Sequence, residues 1–219
     1  MNQVAVVGGH GQIARLLHPL LVAQGWTPVA LVRSESQRAA LERLGAEVRL
    51  LDLEQDEAAR FAEAFEGCDA VVFAAGGGGD GSVERKRTVD LGGSLKSIEA
   101  AQARGIRRFV QISAINVDDP LPEDTDEVWR AYVEAKRDAD QALRASDLDW
   151  TILRPGRLTD DAPTGRVSLG PDVPRGEVPR ADVAAVVTAM LGDERATGQQ
   201  WNLVAGDLPV DQAITQASG

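Results

Sequence analysis

The chain is poor in several reactive residue types: among its 219 residues it has one cysteine, two histidines, one tyrosine and three lysines, and aromatics make up only 4 %. A lone cysteine, Cys68, excludes an internal disulfide and fits a reducing compartment, so a cytoplasmic protein is expected. No apolar run approaches the ~20 residues of a membrane span. The opening MNQVAVVGGHGQIAR lacks a basic segment and soon reaches glycine, so no signal peptide is expected. Positive charge is also scarce. Against 34 acidic residues stand 23 Lys and Arg, a net charge of −11. That balance argues against nucleic acid and against an anionic membrane surface as partners. Two separated histidines and one cysteine give no metal-ligand spacing, so no metal is expected. Neither a GxxxxGK phosphate loop nor a GxSxG nucleophile elbow occurs. The pairs Asp118-Asp119 and Asp160-Asp161 read as solvated loop charge.

What is present is a rhythm of short apolar runs and longer helical stretches, on a chain long enough for one domain. Strands are predicted at 4–8, 28–33, 47–52, 70–74, 108–113, 150–154 and 200–204. Runs such as VAVVG, AVVFA and RFVQIS are continuously apolar, as in parallel strands covered on both faces. Helices are predicted at 12–24, 35–44, 57–65, 82–104, 124–145 and 180–191, with Gly25, Gly45, Gly67 and Gly105 as stops. The alternation predicts an α/β fold, a single doubly wound parallel-sheet domain of about seven strands. Residues 1–154 form the expected cofactor-binding core. The proline-bearing stretch 155–179 reads as a long loop covering a substrate, followed by C-terminal elements without an obvious extra apolar helix. A monomer or small homo-oligomer is expected.

Gly8-Gly9-His10-Gly11-Gln12-Ile13-Ala14 falls where the first strand ends and the first helix begins. Glycines there let backbone N–H groups approach a pyrophosphate, and the helix N-terminus adds orphan donors and partial positive charge. The alternative is a plain strand–helix turn. His10 reads as a loop residue. Dinucleotide choice rests on the second strand, which ends Val32-Arg33-Ser34, with Arg38 a turn later. An acidic residue there would hold a ribose 2′-OH, whereas a guanidinium suits a 2′-phosphate, so NADP(H) is expected in preference to NAD(H). Arg33 could instead be a solvated surface arginine. After the third strand, Asp52-Leu53 could meet the adenine, although Asp52 could equally cap the next helix. After the fourth, Ala74-Ala75-Gly76 and the glycines to Gly79 offer a side-chain-free surface for the ribose.

Tyr132 lies four residues before Lys136, so both share one helix face. A nearby ammonium should lower the phenol pKa toward working pH and make Tyr132 a general acid or base. Ser113, ending the fifth strand, could orient the same substrate oxygen. The bland alternative is a packed tyrosine beside a surface lysine.

With GGHGQIA, LVRS, VDLGGSLKSIEAAQARGIRRFVQISA, YVEAK, LDWTILRPGRLTD and EVPRADVAAVV, nearly the whole chain resembles the atypical branch of the short-chain dehydrogenase/reductase superfamily. That branch is described as NAD(P)-binding, epimerase/dehydratase-like or NmrA-like. The resemblance implies a seven-stranded sheet, usually NADP, and catalytic roles for Ser113, Tyr132 and Lys136. It also implies that Lys136 holds the nicotinamide ribose and that Pro155-Gly156 lie beside the nicotinamide, with Arg157 and Leu158 on the substrate side. Two features depart from the pattern. Ala14 replaces a third glycine, and Asp90-Leu91-Gly92-Gly93-Ser94 stands where an asparagine often completes the site. The expected activity is an oxidoreductase or epimerase acting on a small carbonyl or alcohol. An NADP(H)-sensing regulator without turnover, or a flavin or quinone reductase, are the alternatives.

Overall fold

The computed structural model describes residues 2–78 and 82–219. The core is a sheet in which β1 (Asn2–Val7) is flanked by β2 (Trp26–Val32) on one side and β4 (Ala70–Phe73) on the other. Beyond β2 lies β3 (Glu47–Leu50). Beyond β4 follow β5 (Arg108–Ile112), β6 (Asp149–Pro155) and β10 (Gln199–Ala205), all parallel. These are the seven predicted strands, and the strand order reverses at the β1/β4 boundary. In such sheets, ligands bind outside the strand carboxyl ends at that switch point.

Alternation along β1 divides the core. Val4 and Val6 pack with Ala14, Leu17 and Leu21 of α1 (Gln12–Ala23) and with α7 (Arg180–Leu191). Ala5 and Val7 point the other way, toward α3 (Ala58–Ala64), α5 (Gly93–Ala103) and Leu143 of α6 (Glu127–Arg144). The sheet is therefore buried on both faces, which explains the continuous apolar runs. The glycine stops at 25, 45, 67 and 105 all have positive φ.

The structure corrects the sequence reading in four places. The 155–179 stretch is not one loop but carries β7 (Arg157–Thr159), β8 (Arg166–Gly170) and β9 (Glu177–Pro179). β7 pairs with β9 in a separate two-stranded sheet, and β8 adds antiparallel to β10. With β11 (Leu208–Pro209) on β8, the main sheet reaches nine strands. These strands are short and interrupted by proline, so no period of two is long enough to see. At the C-terminus, α8 (Val210–Ala217) buries only Ala213 and Ile214, too brief a stripe to stand out. The predicted helix 35–44 splits into a 3₁₀ turn, Glu35–Gln37, and α2 (Arg38–Glu42). The predicted helix 82–104 starts as α4 (Val83–Arg85), widens into a π-helical stretch, Lys86–Gly92, and continues as α5.

Candidate active site

The turn after β1 is shaped by close backbone contact. Gly8 has φ +77°, and a Cβ there would lie 2.7 Å from Ala75 Cα. A Cβ on Gly9 would lie 2.7 Å from Ala30 Cβ. Gly9 N donates to Leu31 O at 3.0 Å, and Gly11 N donates to Gly8 O at 2.8 Å. His10 stands half-buried in this turn. Gly11 is the N-cap of α1 and contributes no side-chain cap, and the first turn from Gln12 and Ile13 holds no acidic residue. The orphan N–H groups of a helix start are thus left for an anion, an arrangement that fits a dinucleotide pyrophosphate.

The rest of the predicted cradle is less uniform. Arg33 is well exposed, and among the described residues it pairs with Glu54 at 4.0 Å. Glu54 also lies 3.6 Å from Arg85 and accepts from Thr88 Oγ1 at 3.0 Å. Ser34 Oγ bonds Ser36 Oγ at 2.7 Å. Arg38 is engaged locally, on Glu35 and on Val48 O. Asp52 Oδ1 accepts from Glu54 N and Gln55 N at 2.9 and 3.3 Å, closing its own turn. Leu53 packs toward Gly93, and its carbonyl accepts from Lys96. Ala74 N donates to Val7 O at 3.0 Å, joining β4 to β1 at the switch point. Gly76 is exposed beside it, and Gly79 lies outside the described residues. Pro155 and Gly156 are buried, and Gly156 N donates to Leu203 O at 2.8 Å. A Cβ on Gly156 would lie 2.2 Å from Gly176 O. Arg157 is exposed and pairs with Glu177.

The three predicted catalytic side chains lie close to this turn. Lys136 Nζ donates to Ala75 O and Ile112 O, both at 3.3 Å, and sits 3.2 Å from Asp90 Oδ1. Asp90 is fully buried and its other oxygen accepts from Gly77 N at 2.8 Å. Burial opposes charge on Lys136, but Asp90 and the Tyr132 phenol more than offset this and hold its pKa above the ordinary lysine value. The Tyr132 ring stacks on exposed Trp129 at 5.2 Å, with Lys86 Nζ 5.1 Å from its centroid. Its titration runs opposite to the sequence expectation. Burial pushes the phenol pKa up, and Asp90 and Asp140 reinforce this against Lys136.

Ser113 Oγ donates to Asp140 Oδ2 at 2.8 Å. Asp140 also accepts from Gln111 Nε2 at 2.7 Å and from Arg154 Nε at 2.9 Å. Ser94 Oγ donates to Gln111 Oε1 at 2.6 Å, and Arg154 reaches Asp118 Oδ2 at 2.7 Å. Burial raises the Asp140 pKa despite these partners. The sequence reading missed Asp140, Arg154, Gln111 and Lys86, and named Asp90 only as part of a departure. A signal existed for Asp140, which follows Tyr132 and Lys136 at a further step of four. A charged Arg154 inside the run WTILRP was another.

A switch-point glycine turn, a helix start without a side-chain cap and a half-buried tyrosine beside a buried lysine go with the fold of a dinucleotide-binding protein. Residues 8–194 match the NAD(P)H-binding family, and the chain belongs to it. It is 39 % identical to an uncharacterized sugar epimerase of Bacillus subtilis over 97 % of this chain and 98 % of that one. A Bacillus halodurans structure assigned as an NAD-dependent epimerase/dehydratase superposes with a TM-score of 0.91 and 36 % identity, covering 99 % of this chain and 100 % of that one. An anaerobilin reductase of Escherichia coli O157:H7 superposes at 0.77 with 25 % identity, covering 94 % and 98 %. Among the described residues, no helix is long and apolar enough to cross a membrane.

Proposed function

We propose that this chain is an NADP(H)-dependent oxidoreductase, or an epimerase-like relative, acting on a small carbonyl or alcohol. The observation that carries the reading is the placement of Lys136. Its bonds to Ala75 O and Ile112 O fasten the tyrosine-bearing helix to the strand ends beside the glycine turn. The epimerase and reductase names of the relatives support a redox site. Gly8 to Ile13 would hold the pyrophosphate. Arg33 and Ser34 would face the 2′-phosphate, and Pro155-Gly156 would flank the nicotinamide. When bound, the cofactor would supply or accept a hydride. Tyr132 would give a proton to the substrate oxygen, or take one from it, and Ser113 would help orient that oxygen. Calorimetry with NADPH and NADH, beside a carbonyl screen, tests this reading. Tyr132→Phe is expected to bind NADPH as before and to lose turnover. Retained turnover in that variant would point to a flavin or quinone reductase.

One observation favours a second reading, an NADP(H)-sensing protein without turnover: the only hydroxyl proton of Ser113 already goes to Asp140. Distinct affinities for NADP and NADPH, with no activity on any carbonyl, would support it.

A further inference from the structure

Two lysines and two carboxylates surround the Tyr132 phenol. Lys136 and Asp140 belong to its own helix, while Lys86 and Asp90 come from the π-helical stretch packed against it. The four are not free to act alike. Lys86 Nζ donates to Gly78 O at 2.5 Å, and Asp140 is tied to Arg154, Gln111 and Ser113. Lys136 faces three protein oxygens, those of Ala75, Ile112 and Asp90, at 3.2 to 3.3 Å, so its ammonium protons are directed into the protein. Asp90 in turn is pinned by Gly77 N–H and wholly excluded from solvent, so its charge is not screened by water.

A lysine beside a phenol promotes ionisation only while its charge is uncompensated. Here the compensating charge sits 3.2 Å away in a buried pair. We propose that Asp90 is the counter-ion that keeps Lys136 from ionising Tyr132, so that at neutral pH the phenol stands protonated, as a donor to a carbonyl oxygen. Asp90 is thus a positioning residue that acts through Lys136. For each carbonyl reduced, the nicotinamide cofactor would supply a hydride to carbon and Tyr132 Oη a proton to oxygen, and the tyrosinate left behind would regain a proton from solvent. This inference rests on the oxidoreductase reading for its consequence, but its electrostatic core does not require turnover. The raised phenol pKa is in keeping with it.

Tyr132 is the only tyrosine in the chain, so tyrosinate absorbance in the near ultraviolet titrates this one group. The unaltered protein is expected to ionise at or above the ordinary value of 10.0. A midpoint well below it would overturn the proposal without any variant. Asp90→Asn keeps an acceptor for Gly77 N–H and removes the charge, and its midpoint should fall by about one unit, a tenfold rise in tyrosinate at a given pH. In a Lys136→Met background the same Asp90→Asn change should produce a clearly smaller fall, the direct repulsion between Asp90 and the phenolate alone. An unchanged or raised midpoint in Asp90→Asn, or an equal fall without Lys136, would overturn it. Absence of turnover on every carbonyl would undo the oxidoreductase reading while leaving these titrations as they stand.

Discussion

His18 Nε2 lies 2.7 Å from the carbonyl oxygen of Gly9, so the first helix holds the glycine turn through its own buried side chain. Burial lowers the His18 pKa, with the Gly9 bond opposing, and the neutral ring donates from Nε2 while Nδ1 has no partner among the described residues. His18→Ala removes one net hydrogen bond, about 1 kcal/mol, and frees the turn. NADPH affinity measured by calorimetry is expected to fall about tenfold, with circular dichroism unchanged.

The same histidine makes stability depend on pH. Its folded-state pKa lies below the ordinary 6.5, so its contribution is present above 6.5 and is lost as pH falls through the folded value. Thermal melting should drop on mild acidification, and the drop should be smaller in His18→Ala.

Gly8→Ala and Gly9→Ala each place a methyl group 2.7 Å from a neighbouring carbon. Overpacking of this kind costs about 1–3 kcal/mol, and Gly8 adds the strain of positive φ. Both variants are expected to bind NADPH at least about tenfold more weakly, Gly8→Ala with the larger loss in melting temperature.

Arg33→Ala should weaken NADPH by about 10- to 100-fold and leave NADH within a few-fold, the range of one charge-assisted bond. Equal loss for both dinucleotides, measured by fluorescence titration, would count against a 2′-phosphate contact. Because Glu54 lies 4.0 Å from Arg33, Glu54→Gln is expected to move affinity the other way.

Asp140 and Arg154 form a buried pair with Nη2 to Oδ2 at 2.8 Å. Asp140→Ala takes the buried partner from the guanidinium, leaving it only the half-exposed Asp118, and should cost up to about 3–5 kcal/mol in denaturant unfolding. A double change, Asp140→Leu with Arg154→Met, should cost less than Asp140→Ala alone, because the one carboxylate it leaves unpaired, Asp118, is solvent-exposed.

Much of this site was legible because local rules carried it. The glycine turn needs strand, tight turn and helix in immediate succession, and Tyr132 and Lys136 need only one helix turn. Several of the seven parallel strands announced themselves as continuous apolar runs. The remainder depends on contacts distant in sequence. Asp90 meets Lys136 across 46 positions, and nothing local says that a π-helical widening will carry it inward. Ser113 lies where expected, yet its partner Asp140 is 27 positions away, on another element. The direction of the Tyr132 shift was missed for the same reason: the spacing showed the cation but not the two carboxylates or the depth of burial. β7 and β9 owe their pairing to each other, not to any alternation of their own.

The margins of the main sheet limit how copies of this protein can associate. One outer strand, β11, is two residues long, and the other, β3, is four residues with Glu47 and Arg49 among them. Neither presents a run of unpaired amides on which a neighbour could build a continuous ladder. The sheet margins therefore disfavour edge-to-edge growth of one copy onto another.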